Sequence, residues 1–158
     1  QDFGNAFSTF IGQNYGAKKT DRIQQGIKSA IKISFLFCLI ISVGVFIFAR
    51  PLMTIFIDSS ETEIINIGVD YLRIEGSFYF GIGILFLLYG FYRATNFPSM
   101  SVILTIISLG TRVGLAYYLA SIPSIGVIGI WWSIPIGWAL ADIFGIVYYK
   151  RKIKQLHF

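Results

Sequence analysis

Charged residues are scarce in this 158-residue chain. They make up 13% of it, while hydrophobic residues make up 55%. Soluble domains carry roughly 25% charged residues. A chain this apolar cannot hide its hydrophobic surface in one water-exposed globule. The composition therefore excludes an ordinary soluble domain and predicts the lipid bilayer as the first partner of the chain.

Cysteine and histidine are almost absent, since Cys38 and His157 are the only residues of each type. A lone cysteine excludes a disulfide within the chain, and one histidine with one cysteine makes no metal set. A membrane-embedded enzyme would need paired acids, His or Cys near the membrane edge. No phosphate-binding glycine loop or nucleophile elbow is present. We therefore expect no enzyme, no catalytic residue, no metal and no cofactor.

Long apolar runs are abundant, and they predict the fold class. Four complete membrane-spanning helices are expected, separated by short connections that place neighbours antiparallel, at about 28–49, 70–93, 98–120 and 126–150. Residues 1–19 are interpreted as the end of a fifth helix that begins upstream, because the chain starts at Gln1 without Met. The class is an all-α, polytopic transmembrane helical bundle.

Two connections have predicted boundaries. Arg50 and Pro51 are expected to end the first span, with Pro51 beginning a short interfacial helix. Ser60 and Glu63 have capping-box spacing for the helix that carries the second span.

Basic residues are concentrated on one side of the predicted bundle. Arg50 lies on the opposite side, and Arg73 and Arg112 lie near or inside spans. The remaining ten of the 13 Lys and Arg residues all lie on the basic side, away from Arg50: Lys18, Lys19, Arg22, Lys28, Lys32, Arg93, Lys150, Arg151, Lys152 and Lys154. The positive-inside rule then predicts a cytoplasmic C-terminus in the cell (plasma) membrane. Since the net charge of +5 reflects topology, no nucleic-acid partner is expected.

A polar stripe runs along the third span, where Ser101, Thr105, Ser108 and Arg112 share one helix face. A charge at mid-membrane is costly and normally turns to a partner or to water. We expect this face to line a substrate cavity. The alternative is that the hydroxyls bond a neighbouring helix or their own backbone.

Asp142 is a second buried charge, predicted about 12 Å inside the cytoplasmic edge. It is a candidate for ion coupling, or half of a structural ion pair with Arg93, and the structural pair is favoured. Glu75 and Arg73 are interpreted as interfacial charges. Trp138 lies deeper than Trp131 and Trp132, and its ring would suit a lipophilic cation.

Five motifs occur in an order that resembles the multidrug and toxic compound extrusion (MATE) family: FIGQNYGAKKTDR at 10–22, YLRIEGSF at 71–78, GFYRATNFPSM at 90–100, TRVGLAYYLA at 111–120 and GVIGIWWSIPIGWALADIFGIVYYKRK at 126–152. The resemblance covers essentially the whole chain. It implies the C-terminal part, from the end of helix eight through helix twelve, of a twelve-helix transporter with two lobes. Residues 1–158 would be part of the C-terminal lobe, with the missing N-terminal lobe as their partner.

The resemblance also implies a function. Family members export drugs and organic cations in exchange for sodium or protons, by alternating access between two lobes. Some carry a coupling aspartate at the position of Ile82, so that acid is absent here. The coupling acid is then expected upstream or at Asp142. Two alternatives remain: a lipid-linked precursor flippase or polysaccharide exporter of the same superfamily, and a structural membrane subunit without transport.

Overall fold

The computed structural model describes residues 2–153, with side chains for residues 2–151. Six helices follow one another in this part of the chain: α1 (Asp2–Gly16), α2 (Thr20–Thr54), α3 (Thr62–Ser77), α4 (Tyr79–Ala94), α5 (Pro98–Ala120) and α6 (Val127–Ile153). No strand occurs among the described residues, and the predicted all-α class is confirmed. Lys154 and His157 lie outside the described residues.

Three helices, α2, α5 and α6, are long and apolar enough to cross a membrane. Helices α3 and α4 meet the same test only together, and they are bent by 48° at the break between them. The described part of the chain therefore holds three spans, or four if the bent pair is a single span. The prediction of four spans corresponds to the second case.

Helix α2 continues past the point where the sequence predicted its end. Pro51 lies inside the helix, which ends at Thr54. The prediction of a separate interfacial helix that begins at Pro51 is therefore wrong. Pro51 removes one backbone N–H from the helix, and the last turn closes with the Thr54 hydroxyl donating to the Pro51 carbonyl at 2.9 Å. Phe37 and Ile40, in the middle of α2, are exposed and form part of its apolar outer surface.

The α3–α4 break falls at Phe78 and interrupts what the sequence predicted as one helix. The Ser77 hydroxyl donates to the Arg73 carbonyl at 2.6 Å, a local bond that is known to bend helices. Gly76 precedes it, and a Cβ there would lie 2.9 Å from Val45 Cγ1 of α2. The glycine thus lets α2 approach the chain where it bends.

The predicted capping box at Ser60 and Glu63 is wrong. Glu61 is the residue before α3, and no side chain caps the helix. Ser60 instead donates to Asp58 twice, from its backbone N–H at 2.9 Å and its hydroxyl at 2.8 Å. These two bonds, the backbone one first, lower the pKa of Asp58. The connection is therefore ordered by an aspartate turn.

Helix α4 is the centre of the bundle, because it contacts each of the other five described helices. Small residues permit its closest approaches. A Cβ on Gly90 would lie 2.6 Å from the Gly4 carbonyl oxygen of α1. A Cβ on Gly137 of α6 would lie 2.6 Å from the Ser108 carbonyl oxygen of α5. Backbone-to-backbone packing therefore brings the polar residues of α5 against α6.

Candidate functional site

Three side chains have a buried polar atom with no hydrogen-bond partner among residues 2–151. The atoms are Glu75 Oε1, Arg112 Nε and Asp142 Oδ1. All three residues are ionisable and lie in helices that are candidates for crossing the membrane. Buried polar groups are normally hydrogen-bonded, and ionisable groups in membrane spans mark transport pathways. They are therefore the first candidates for a functional site.

Glu75 lies at the end of α3, directly before the break, and is only 5% exposed. The guanidinium of Arg112 acts on its carboxylate electrostatically. The sequence interpretation of Glu75 as an interfacial charge is therefore wrong. Helix α3 packs against α2 and α6, and Glu75 is buried at its end. The one available signal was an acid followed by Gly76 and Ser77, two residues that weaken a helix.

Arg112 on α5 lies over the ring of Trp138 on α6, with its Cζ atom 5.8 Å from the ring centroid. The close approach at Gly137 makes this contact possible, because a Cβ there would also lie 3.6 Å from Arg112 Cβ. Trp138 is buried. The arginine thus faces protein rather than lipid, with an aromatic ring on one side and Glu75 within electrostatic reach.

Asp142 lies one helical turn beyond Trp138 and is 6% exposed. A Cβ on Gly81 would lie 3.7 Å from Asp142 Oδ2 and 3.5 Å from Trp138 Cβ. Both side chains therefore pack against the glycine of α4. We call Glu75, Arg112, Trp138 and Asp142 the charged cluster. Arg112 acts on Glu75 electrostatically and contacts Trp138, and Trp138 and Asp142 both pack against Gly81.

The favoured ion pair between Arg93 and Asp142 is not formed. Arg93 donates to Asn5 Oδ1 of α1 at 2.9 Å instead. Asp142 lies level with Gly81, twelve residues before Arg93, which is about 18 Å along α4. Counting residues from the membrane edges predicts similar depths for Arg93 and Asp142, but Asp142 packs against the opposite half of α4.

The polar stripe of α5 is divided between two neighbours. Ser101 donates to the Tyr89 carbonyl at 3.3 Å, and Thr105 lies 3.2 Å from the Tyr89 hydroxyl, so both face α4. Ser108 is buried against α6, and the half-buried Arg112 lies one turn further along the same face. Ser101 and Thr105 also line a groove of about 390 Å³ between α1, α4 and α5. That the whole stripe lines a substrate cavity stays a prediction.

A helical membrane bundle with ionisable groups buried between its spans defines a class of protein, the polytopic membrane proteins with a polar interior. Among the residues that the structure describes, no group of three or more His, Cys, Asp or Glu side chains could hold a metal ion. The chain belongs to the MatE family, whose model matches residues 2–118. The resemblance drawn from the five motifs is confirmed.

Curated relatives carry multidrug names. The chain is 33% identical to "Multidrug export protein MepA" of Staphylococcus haemolyticus, in an alignment of 162 positions that covers 99% of the chain and 35% of the relative. It is 28% identical to "Probable multidrug resistance protein NorM" of Thermotoga maritima over 127 residues, covering 80% of the chain and 27% of the relative. The chain thus spans about a third of the length of the relatives it matches.

Solved structures confirm the fold. One, titled as the outward-facing conformation of a multidrug resistance MATE family transporter, matches with a TM-score of 0.89 at 26% identity, over 98% of this chain and 35% of that one. An inward-facing conformation matches with a TM-score of 0.88 at 24% identity, over 97% and 35%. The expected arrangement, part of a twelve-helix transporter with two lobes, therefore agrees with known structures of the family.

Proposed function

We propose that the chain is part of the C-terminal lobe, residues 1–158, of a membrane transporter that exports lipophilic and cationic drugs in exchange for sodium ions or protons. The names of the curated relatives support drug export. The charged cluster is the observation that carries the proposal. It places two carboxylates, a guanidinium and an indole ring in the interior of a membrane bundle, at a cost that structural packing alone does not require.

The chemistry of the cluster suits cations. The Trp138 ring already binds the guanidinium of Arg112, which is itself an organic cation. A carboxylate oxygen without a hydrogen-bond partner, as at Asp142 Oδ1, can accept a proton or a sodium ion without breaking an existing bond. We therefore assign the coupling role in this lobe to Asp142, with Glu75 as the second acid. The position at which some family members carry a coupling aspartate is occupied here by Ile82, which is not an acid.

Alternating access of two lobes is part of the proposal. The chain matches an outward-facing and an inward-facing transporter almost equally, with TM-scores of 0.89 and 0.88. This similarity supports a lobe that keeps its internal arrangement in both states, so that the conformational change occurs between this lobe and the other. The placement of ten basic residues supports a cytoplasmic C-terminus in the plasma membrane.

Efflux by the full-length protein tests the proposal. Cells that express it should export ethidium or norfloxacin, and loss of the one gradient that drives the exchange, sodium or proton, should stop export. Absence of gradient-dependent efflux across a broad drug panel would refute drug antiport. Uptake of a lipid-linked precursor into vesicles, in place of drug efflux, would instead establish the flippase alternative.

Asp142→Asn tests the coupling role. We expect protein levels to be unchanged and gradient-dependent efflux to be lost, while drug binding in detergent is retained. Asp70→Asn is the matched control, because Asp70 is an exposed acid on α3. If Asp142→Asn lowers only expression and the remaining protein is still coupled, Asp142 has a structural role.

A further inference from the structure

A groove separate from the charged cluster opens between α1, α4 and α5. Its volume is about 390 Å³, within the range of ligand-binding clefts. We call it the Arg93 groove, and its lining residues are Gly4, Asn5, Phe86, Tyr89, Arg93, Ser101, Val102 and Thr105. Arg93 lies in the last turn of α4, at the side of the bundle where the basic residues are concentrated.

The charge of the groove has one sign. Arg93 is the single ionisable cation of the lining, and no Asp or Glu is among the lining residues. Helix α5 begins at Pro98, so Ser101 lies in its first turns, where the helix dipole is positive. The groove is therefore positively charged at the end where Arg93 lies.

Hydrogen-bond donors remain free in the groove. Arg93 has five N–H groups, and the described structure uses one of them in its bond to Asn5 Oδ1. Since arginine can only donate, the amide oxygen of Asn5 must face it. The Asn5 amide nitrogen then points elsewhere, and it makes no hydrogen bond to the described residues. Two neighbouring side chains thus offer several donors.

The opposite wall combines hydroxyls that already have partners with apolar side chains. Thr105 lies within hydrogen-bond distance of the Tyr89 hydroxyl and of the Ser101 carbonyl, and Ser101 donates to the Tyr89 carbonyl. These hydroxyls are engaged within the protein and hold α5 against α4. Phe86 and Val102 supply carbon surface beside them, and Phe86 packs edge-on against Tyr89 with ring centroids 6.1 Å apart.

We propose that the Arg93 groove binds an anionic oxygen group, a phosphate or carboxylate, carried on an apolar chain that lies against Phe86 and Val102. Arg93 and Asn5 would donate to the anionic oxygens, and the fork of the guanidinium suits two oxygens at once. Such a ligand is an anionic amphiphile, either a membrane phospholipid or a free anion from the aqueous side. Unlike the charged cluster, the lining of the Arg93 groove contains no acid.

A matched control pair exists elsewhere in the protein. Arg50 on α2 donates to Asn66 Oδ1 on α3 at 3.1 Å, so it repeats the arginine–asparagine bond between two helices. Arg50 and Asn66 are not part of the Arg93 groove. Substitution of Arg50 therefore reports the effect of losing the same kind of bond without losing the proposed site.

Calorimetric titration of the full-length protein in a non-ionic detergent tests the proposal. The probes are dihexanoyl phosphatidic acid, dihexanoyl phosphatidylcholine, inorganic phosphate and hexanoate. We expect saturable binding of phosphatidic acid, and a weakening of about 10- to 100-fold in Arg93→Gln, the effect of losing charge-assisted hydrogen bonds. Arg50→Gln should bind as the wild type does. Arg93→Lys keeps the charge, and should weaken binding by less than Arg93→Gln.

The outcomes separate the sources. If phosphatidic acid binds more tightly than inorganic phosphate, hexanoate and phosphatidylcholine, the site recognises an anionic lipid. If inorganic phosphate binds equally well, the site recognises a free anion. Should Arg93→Gln fail to fold, Asn5→Ala, a change at an exposed position, must weaken binding in its place. Absence of saturable anion binding, or equal binding in wild type, Arg93→Gln and Asn5→Ala, overturns the proposal whatever the protein transports.

Discussion

Arg112 on α5 lies over the indole ring of Trp138 on α6, 5.8 Å from its centroid, beside Gly137, where the two helix backbones come close together. Its charge also acts on Glu75 at the end of α3. One guanidinium thereby connects three helices. A charge inside a bilayer has no favourable contact with lipid. We therefore expect the contacts of Arg112 with Trp138 and Glu75 to affect the stability of the lobe.

Glu75→Gln should destabilise the lobe. The change removes a carboxylate that acts on Arg112 electrostatically. No direct bond joins the two groups, so we expect a cost below the roughly 3 kcal/mol that is typical of a directly bonded buried pair. We expect Glu75→Gln and Arg112→Gln each to be destabilising, and the double variant to cost less than the sum. The free energy of unfolding, measured by denaturant titration in detergent, gives this coupling. Additive costs would show that the two charges act independently.

Trp138→Leu should lower stability by about 1 kcal/mol beyond its packing loss, since a cation–π contact contributes roughly 0.5–2 kcal/mol. Trp138→Phe keeps an aromatic face and should lose less. The cost of Trp138→Leu should shrink when Arg112 is already replaced by Gln, where only packing is lost. An equal cost in both backgrounds would contradict a role for the arginine contact. Thermal unfolding of the four variants decides the matter.

Gly137→Ala should force α5 and α6 apart. Its Cβ would lie 2.6 Å from the Ser108 carbonyl oxygen, a backbone atom that cannot move without its helix. Overpacking of this kind costs about 1–3 kcal/mol. Gly114→Ala on α5 is the control, because a Cβ there meets nothing within 4 Å and alanine favours a helix. A melting temperature that falls in both variants, or in neither, would argue against close packing at Gly137.

Tyr92→Phe should cost about 1 kcal/mol, the usual net contribution of one hydrogen bond. The buried Tyr92 hydroxyl donates to the Gly145 carbonyl at 2.7 Å and joins α4 to α6. Tyr117 is 80% exposed, so Tyr117→Phe should leave the unfolding free energy unchanged. Equal stability of the Tyr92→Phe variant and the wild type would show that this bond contributes nothing measurable.

Much of the fold was predictable from local patterns. The third span was placed at 98–120, the bounds that α5 has in the structure. Long apolar runs and the charges between them are properties of successive residues, and a helix in lipid must satisfy its own backbone, so the run itself defines the element. Two predicted helix boundaries are wrong. Helix α2 continues through Pro51, and the next predicted helix breaks at Phe78. At both places the outcome depends on whether the surrounding helix tolerates a single residue.

The pairing of the charged residues was not predictable in the same way. Depth along the membrane normal suggested Arg93 for Asp142, yet Arg93 bonds Asn5 and Asp142 lies against Gly81. Its position near the end of a span predicts Glu75 to be an interfacial charge, yet it is buried. The sequence by itself determined which segments are membrane helices, where charge is rare enough to be informative, and which family the chain resembles. Only the tertiary structure decided which side chains meet, because the rotation, tilt and bend of each helix depend on its neighbours rather than on its own residues.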